Sequence, residues 1–237
     1  MNLQNATILV TGGSSGIGKA LAQVLGEAGA RVAITGRDQV RLAAAAAATG
    51  AHAIHADVAS EADVIRTMGD VIRAFGHLDV LVNNAGAGTF MPLKDQDRRS
   101  FEAVMAVNVT GAMLMAREAA KHFIERQRGT IVNIGSTAGL RGAANGTAYY
   151  ASKFALRGMT ECWRAELRPH NVRVCLVNPS EVLTEFASTA GLSRGTRMDN
   201  PTKLRGEDIA HTVKSALELD DRGFVTEVTV FATNPKD

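Results

Sequence analysis

Cysteine is scarce in this chain: two residues, Cys162 and Cys175, in 237. Their spacing matches no zinc pattern and no redox CxxC pair. That argues against a zinc knuckle or a dithiol active site and leaves two buried thiols in a reducing compartment as the expectation. The six histidines are scattered, with no HExxH and no ligand cluster. His52 and His55 are close in sequence but fall on opposite faces of a strand. No metal is expected in the chemistry. A dominant charge is missing too: 26 basic and 24 acidic side chains leave a net charge of +2. No basic block stands out, so neither nucleic acid nor a membrane surface is an expected partner. No apolar run approaches the ~20 residues that span a bilayer. Met1–Val10 lacks a basic start leading into a long apolar stretch, so no signal peptide is read there and a cytoplasmic protein is expected.

What is present is a regular alternation of short apolar runs and helical segments. The chain is 46% hydrophobic and 21% charged, which suits one sizeable soluble α/β domain spanning residues 1–237. Ala6–Thr11, Arg31–Thr35, Ala51–His55, Leu78–Val82, Thr130–Ile134, Val172–Val177 and Glu227–Phe231 read as strands. Helices are expected over Gly16–Ala28, Asp38–Ala48, Ser60–Phe75, Asp97–Arg126, Tyr149–Leu167 and Glu207–Leu219. The six-alanine run in the second reads as a thin surface helix, because alanine is the best helix former. Continuous Val/Ile/Leu strands separated by helices imply a parallel sheet covered on both faces. The expected fold is a doubly wound, Rossmann-type sheet of about seven strands in three α/β/α layers.

The first strand runs into Thr11-Gly12-Gly13-Ser14-Ser15-Gly16-Ile17-Gly18. A glycine turn between a strand and a helix lets backbone N–H groups approach a phosphate, and the helix start adds partial positive charge. Two other readings fail on single residues. Gly13–Lys19 fits the opening of an ATPase phosphate loop, but Ala20 stands where Ser or Thr must hold Mg²⁺. Ser136 as a hydrolase nucleophile would need glycines at Ile134 and Ala138.

Tyr149 and Lys153 are four residues apart, which on a helix puts them on one face. An ammonium beside a phenol favours the phenolate, so a lowered Tyr149 pKa is expected, bringing an acid or base within reach of neutral pH. TGGSSGIG at Thr11–Gly18, NNAG at Asn83–Gly86, Asn108 in VNVTG, Ser136 in IGSTAG and YYASK at Tyr149–Lys153 occur in that order. Together, over nearly the whole chain, they resemble the short-chain dehydrogenase/reductase family.

The resemblance implies an oxidoreductase acting on CH–OH groups with a catalytic set of Asn108, Ser136, Tyr149 and Lys153. Tyr149 would protonate a carbonyl oxygen as hydride reaches its carbon, and Ser136 would hydrogen-bond the same oxygen. Lys153 would hold the nicotinamide ribose and tune Tyr149. Asn108 would kink the long helix and hold a water linking Lys153 to solvent. Tyr150 is a rival to Tyr149, set only three residues before Lys153. Cofactor contacts are expected at Gly12, Ser14, Ser15, Gly16, Ile17 and Gly18, at Asp57 and Val58, and at Asn84, Ala85 and Gly86. Further contacts are expected at Pro179, Val182 and Thr184, besides Tyr149 and Lys153 themselves. Asn83 reads as a scaffold hydrogen bonder, and Cys162 and Trp163 as packing residues.

Cofactor choice is expected at the end of the second strand. Gly36 stands where an NAD-preferring member carries an acid, and Arg37 follows with a guanidinium suited to a 2′-phosphate. NADP(H) is therefore expected, with NAD(H) possible because Asp38 could swing inward. Ser180 replaces the glycine that usually follows Pro179, which puts the local turn at issue. A segment at about 180–205 would cover the substrate, a small carbonyl compound or alcohol, with Phe186 and Leu192 as an apolar lid. Arg194, Arg197, Lys203 and Arg205 make it basic, which reads either as a solvated face or as a site for an acidic or carrier-linked substrate. The end, Glu227–Pro235, lacks the glycine-rich VDGG of 3-oxoacyl-carrier-protein reductases, which counts against that activity. A reading from another class is a non-catalytic sensor of NADP(H). A homodimer or homotetramer is expected from the resemblance.

Overall fold

The computed structural model describes residues 1–186, 190, 200 and 202–233. Seven strands lie in one sheet: β1 (Thr7–Val10), β2 (Arg31–Gly36), β3 (His52–His55), β4 (Val80–Asn83), β5 (Gly129–Ile134), β6 (Val172–Pro179) and β7 (Glu227–Val230). Their order is β3-β2-β1-β4-β5-β6-β7, and every neighbouring pair is parallel. All residues of β1, β4 and β5 are buried, as continuous apolar strands in a two-sided sheet must be.

The helices are α1 (Gly16–Glu27), α2 (Gln39–Thr49), α3 (Glu61–Phe75), α4 (Arg98–Met105), α5 (Ala112–Arg126), α6 (Thr147–Leu167) and α7 (Gly206–Glu218). Side chains alternate along each strand and so feed two cores. Ile8 and Val10 of β1 pack with Leu21 and Leu25 of α1 and with Ile209 and Val213 of α7. Leu9 points the other way, toward Val64, Met68 and Val71 of α3 and Leu114, Met115 and Phe123 of α5. Burying each such side chain stabilises by roughly 1.5–3 kcal/mol, so the two faces of the sheet hold the three layers together.

Local signals set the ends of elements. Ser60 Oγ accepts the Asp63 N–H at 3.3 Å to start α3, and Gly76 ends it with φ +84°. Asp38 caps α2 by accepting the Arg41 N–H at 3.0 Å. Only Leu42 and Ala45 of α2 are buried, so the alanine run lies at the surface.

One of the expectations for these elements gains detail and one needs correction. The segment Arg98–Arg126 is helical throughout but includes a π-type turn, Ala106–Gly111, between α4 and α5. A side chain at Gly111 would press on the Val58 carbonyl at 2.9 Å, and the widened turn carries Asn108 inward to a hydrogen-bonding role. Cys175 is buried, but Cys162 is exposed. The inward stripe of α6 runs through Ser152, Leu156 and Thr160, which leaves Cys162 outside it, while its neighbour Trp163 packs on the second core.

At the amino ends of the strands, Asp79 accepts hydrogen bonds from the Thr7 N–H at 3.0 Å and the Thr7 hydroxyl at 3.1 Å, and lies 3.1 Å from His77 Nε2 and 3.3 Å from Arg126. Among the described residues, no helix is long and apolar enough to cross a membrane.

Candidate active site

A cleft of about 1060 Å³ lies at the carboxyl ends of the strands, where an open α/β sheet places its ligands. The glycine turn forms its floor. Gly12 has φ +67° and Gly16 φ +52°, conformations that favour glycine. A Cβ on Gly12 would also fall 2.8 Å from Ala85 Cα. Asn84 closes the turn from the other side: its Nδ2 donates to the carbonyls of Thr11 at 2.9 Å and Gly12 at 3.1 Å. The Thr11 hydroxyl accepts the N–H groups of Asn84 and Ala85, both at 3.0 Å. Ser15 precedes α1 without a side-chain capping bond, and no acid stands in the first turn. The opening N–H groups of α1 therefore face the cleft without internal partners, an arrangement that fits an anionic phosphate.

The far end of the cleft carries two guanidiniums, each near a carboxylate. Gly36 lies against Ser14, so that a Cβ there would come within 3.2 Å of the serine hydroxyl. Arg37 is largely exposed and stands 4.0 Å from Asp57. Asp38 does not line the cleft; its carboxylate is committed to capping α2. Arg41, in the first turn of α2, also lines it and pairs with Glu185 beyond β6.

At the other end, Ser136, Tyr149 and Lys153 share one wall. Ser136 follows β5, and its Oγ accepts the Ala138 N–H at 3.1 Å. The Lys153 ammonium donates to the Ile134 carbonyl at 2.9 Å and sits 5.7 Å from the Tyr149 ring centre. Burial pushes the Tyr149 phenol up to about 12 and outweighs a hydrogen bond with Ser136, which acts in the opposite direction. Burial also pulls Lys153 down to about 8. The expectation of a lowered Tyr149 pKa is thus reversed: withdrawing the phenolate from water costs more than its neighbours return.

Asn108 lies behind this wall, 2% exposed. Its Oδ1 accepts the Ala87 N–H at 2.7 Å, and its Nδ2 donates to the Ala87 carbonyl at 2.8 Å and to Ser152 Oγ at 2.9 Å. Ser152 in turn donates to the Tyr149 carbonyl at 2.7 Å. Asn83 is a scaffold bonder, donating to Ala112 O and to Asn133 Oδ1.

A family model described as short chain dehydrogenase matches residues 6–194. The chain belongs to the short-chain dehydrogenase family. Among relatives of this family, 2-(S)-hydroxypropyl-CoM dehydrogenase 3 of Xanthobacter autotrophicus is 40% identical over 185 residues, covering 76% of this chain and 72% of that one. A 3-ketoacyl-(acyl-carrier-protein) reductase from Brucella melitensis, solved with NADH, superposes with TM-score 0.90 at 29% identity, covering 98% of each chain. A metagenomic short-chain oxidoreductase solved with NADP gives TM-score 0.84 at 35% identity, covering 99% of this chain and 100% of that one.

In this short-chain dehydrogenase, the cleft is lined by Gly12, Ser14, Ser15, Gly16, Ile17, Arg37, Asp57, Val58, Asn84, Ala85, Gly86, Ser136, Tyr149, Lys153, Pro179, Val182 and Thr184. Gly18 is not in the wall. It is a packing glycine: a Cβ there would lie 2.2 Å from the Gly12 carbonyl. Tyr150 lines the cleft beside Tyr149. Ser180 needs no glycine-like backbone; its φ is not positive, and its N–H bonds Val230 O at 2.8 Å. Leu192, Arg194 and Arg197 lie outside the described residues. Lys203 pairs with Glu181 at 2.9 Å, and Arg205 stands at the N-cap of α7. Sequence reasoning missed Arg41, Phe90, Met91, Arg141 and Glu185 in the wall. Arg41 was readable as one helical turn beyond Arg37; the others sit in loops that no periodicity marks.

Proposed function

We propose that this chain is an NADP(H)-dependent carbonyl reductase or secondary alcohol dehydrogenase that works on a small ketone, aldehyde or alcohol. The carrying observation is the single wall that holds Ser136, Tyr149 and Lys153 beside the glycine turn. The glycine turn and the α1 N-terminus would bind the pyrophosphate, Asp57 and Val58 the adenine end, and Val182 and Thr184 the nicotinamide amide. A bound nicotinamide dinucleotide supplies or accepts the hydride. Tyr149 exchanges the proton with the substrate oxygen, and Ser136 holds that oxygen as negative charge develops. With its phenol pushed up to about 12, Tyr149 is protonated at neutral pH. Lys153 steadies the ribose and the phenol. Asn108 positions Ala87 and the Tyr149 backbone and does not itself line the cleft.

Preference for NADP(H) is supported by Arg37 and Arg41 at the adenosine end and by the engagement of Asp38 in capping α2. We read the chain as one domain, with a covering segment at about 180–205, that acts in the cytoplasm as a homodimer or homotetramer. The test is steady-state kinetics on a panel of ketones with NADPH and NADH. A higher kcat/KM with NADPH is expected. A higher value with NADH overturns the cofactor assignment, and tight cofactor binding without turnover of any ketone or alcohol favours a sensor.

A further inference from the structure

The substrate end of the cleft has a chemistry of its own. Two loops form it, Phe90-Met91-Pro92 after β4 and Arg141–Asn145 after β5, joined by the Met91 N–H donating to the Asn145 carbonyl at 2.8 Å. Gly88 supplies the seat for two rings: a Cβ there would meet Phe186 Cζ at 2.8 Å and Phe90 Cε2 at 3.2 Å. Both rings then close on Tyr149, with ring centres 5.5 Å away for Phe90 and 5.3 Å for Phe186. Tyr150 meets the same ring edge-on at 6.2 Å. A molecule reaching the Tyr149 hydroxyl must therefore present apolar, preferably planar, surface to these walls.

The charges around this opening do not cancel. Both carboxylates nearby have cationic partners, Glu181 with Lys203 and Glu185 with Arg41. Arg141 lines the cleft, is exposed, and has no ion pair or hydrogen bond among the described residues. Arg37 and Arg41 belong to the adenosine end, and Lys153 is turned into the Ile134 carbonyl. Among the described residues, the uncompensated charge at the substrate end is thus positive and rests on the Arg141 guanidinium, a group that pairs well with carboxylate.

We propose that the substrate is an aryl or similarly apolar ketone, or the matching alcohol, that carries an anionic group remote from its reacting carbon. Its apolar part packs against Phe90 and Phe186, and its anion meets Arg141. This rests on the carbonyl reductase reading above, and its test separates the two. Binding of three probes to the NADP⁺-saturated protein is measured by calorimetry: acetophenone, 4-acetylbenzoate and (4-acetylphenyl)trimethylammonium. The carboxylate should bind about fivefold tighter than acetophenone and the cation more weakly than either, the size expected of one partly exposed charge pair. Arg141→Ala should bring the carboxylate and the neutral probe to equal affinity, and Arg141→Lys should keep most of the difference. Phe90→Ala should weaken acetophenone roughly tenfold. Equal affinities in the parent protein, or a carboxylate preference that survives Arg141→Ala, overturn the proposal. Turnover is scored separately on the same probes: binding selectivity without turnover of any carbonyl compound sinks the reductase reading and leaves the site's selectivity standing.

Discussion

Asn108 grips Ala87 by both of its backbone groups, taking the N–H at 2.7 Å and giving to the carbonyl at 2.8 Å. With its third bond, to Ser152, it joins the π-type turn, the loop after β4 and the start of α6. Asn108→Ala should therefore lower unfolding free energy by about 2–4 kcal/mol in urea titrations, because buried partners lose their bonds. Asn108→Asp keeps the acceptor for the Ala87 N–H but sets a carboxylate oxygen against the Ala87 carbonyl, so it should destabilise at least as much as the alanine variant. A change under about 0.5 kcal/mol for the alanine variant would mean that these bonds are readily replaced.

Tyr149→Phe removes the proton donor and little else. Turnover of a proven substrate should fall at least 100-fold, in line with the loss of a general acid, while stability shifts by less than about 1 kcal/mol. Retained turnover with an intact fold would remove Tyr149 from the mechanism.

Stability should follow pH in a pattern set by two groups of the cleft wall, buried Lys153 and part-buried Tyr149. Lys153 titrates at about 8 against an ordinary 10.5, so between those values the unfolded chain binds more protons and stability rises with pH. Below pH 8 the cost of burying the ammonium is felt in full. Tyr149 titrates at about 12 against an ordinary 10, so above pH 10 the folded chain binds more protons and stability falls. Urea midpoints should climb from pH 8 to 10 and decline beyond about 10.5. Lys153→Met should abolish the climb and stabilise the protein at pH 7 by on the order of 2–3 kcal/mol, while abolishing turnover. A climb that persists in this variant would place its origin elsewhere.

Acid should act at the opposite end of the sheet. Burial pushes the Asp79 carboxyl up, but bonds from the Thr7 backbone and hydroxyl, with His77 and Arg126 nearby, hold it below its ordinary value. Its contribution is present above pH 3.8 and is lost as pH falls through the lower folded value. Asp79→Asn should reduce stability at pH 7 by about 1–3 kcal/mol and flatten the acid limb of the pH profile in circular dichroism melts.

Arg37→Ala should lower kcat/KM for NADPH roughly tenfold and leave NADH within about twofold, as removal of one phosphate-facing guanidinium predicts. Equal losses with both cofactors would assign Arg37 a general role.

The strand pattern, the caps at Asp38 and Ser60 and the residues of the glycine turn were legible in sequence because each is a local signal. The helix break at Asn108 was expected only through family resemblance; its cause, the bonding to Ala87, is a contact over 21 residues that no periodicity carries. The Tyr149 pKa was misjudged because spacing shows a neighbouring ammonium but not how dry the site is. Phe90, Arg141 and Glu185 escaped because loop residues earn their place by where the strands end, which only the assembled sheet determines.

The cleft draws its lining from Gly12 through Phe186, contributed at the ends of six consecutive strands. A chain emerging from the ribosome can assemble the adenosine end once β1 to β4 have paired, whereas the substrate end waits until β6 has docked beside β5. Dinucleotide could then assist maturation from the middle of assembly onward, and a substrate only at its final stage.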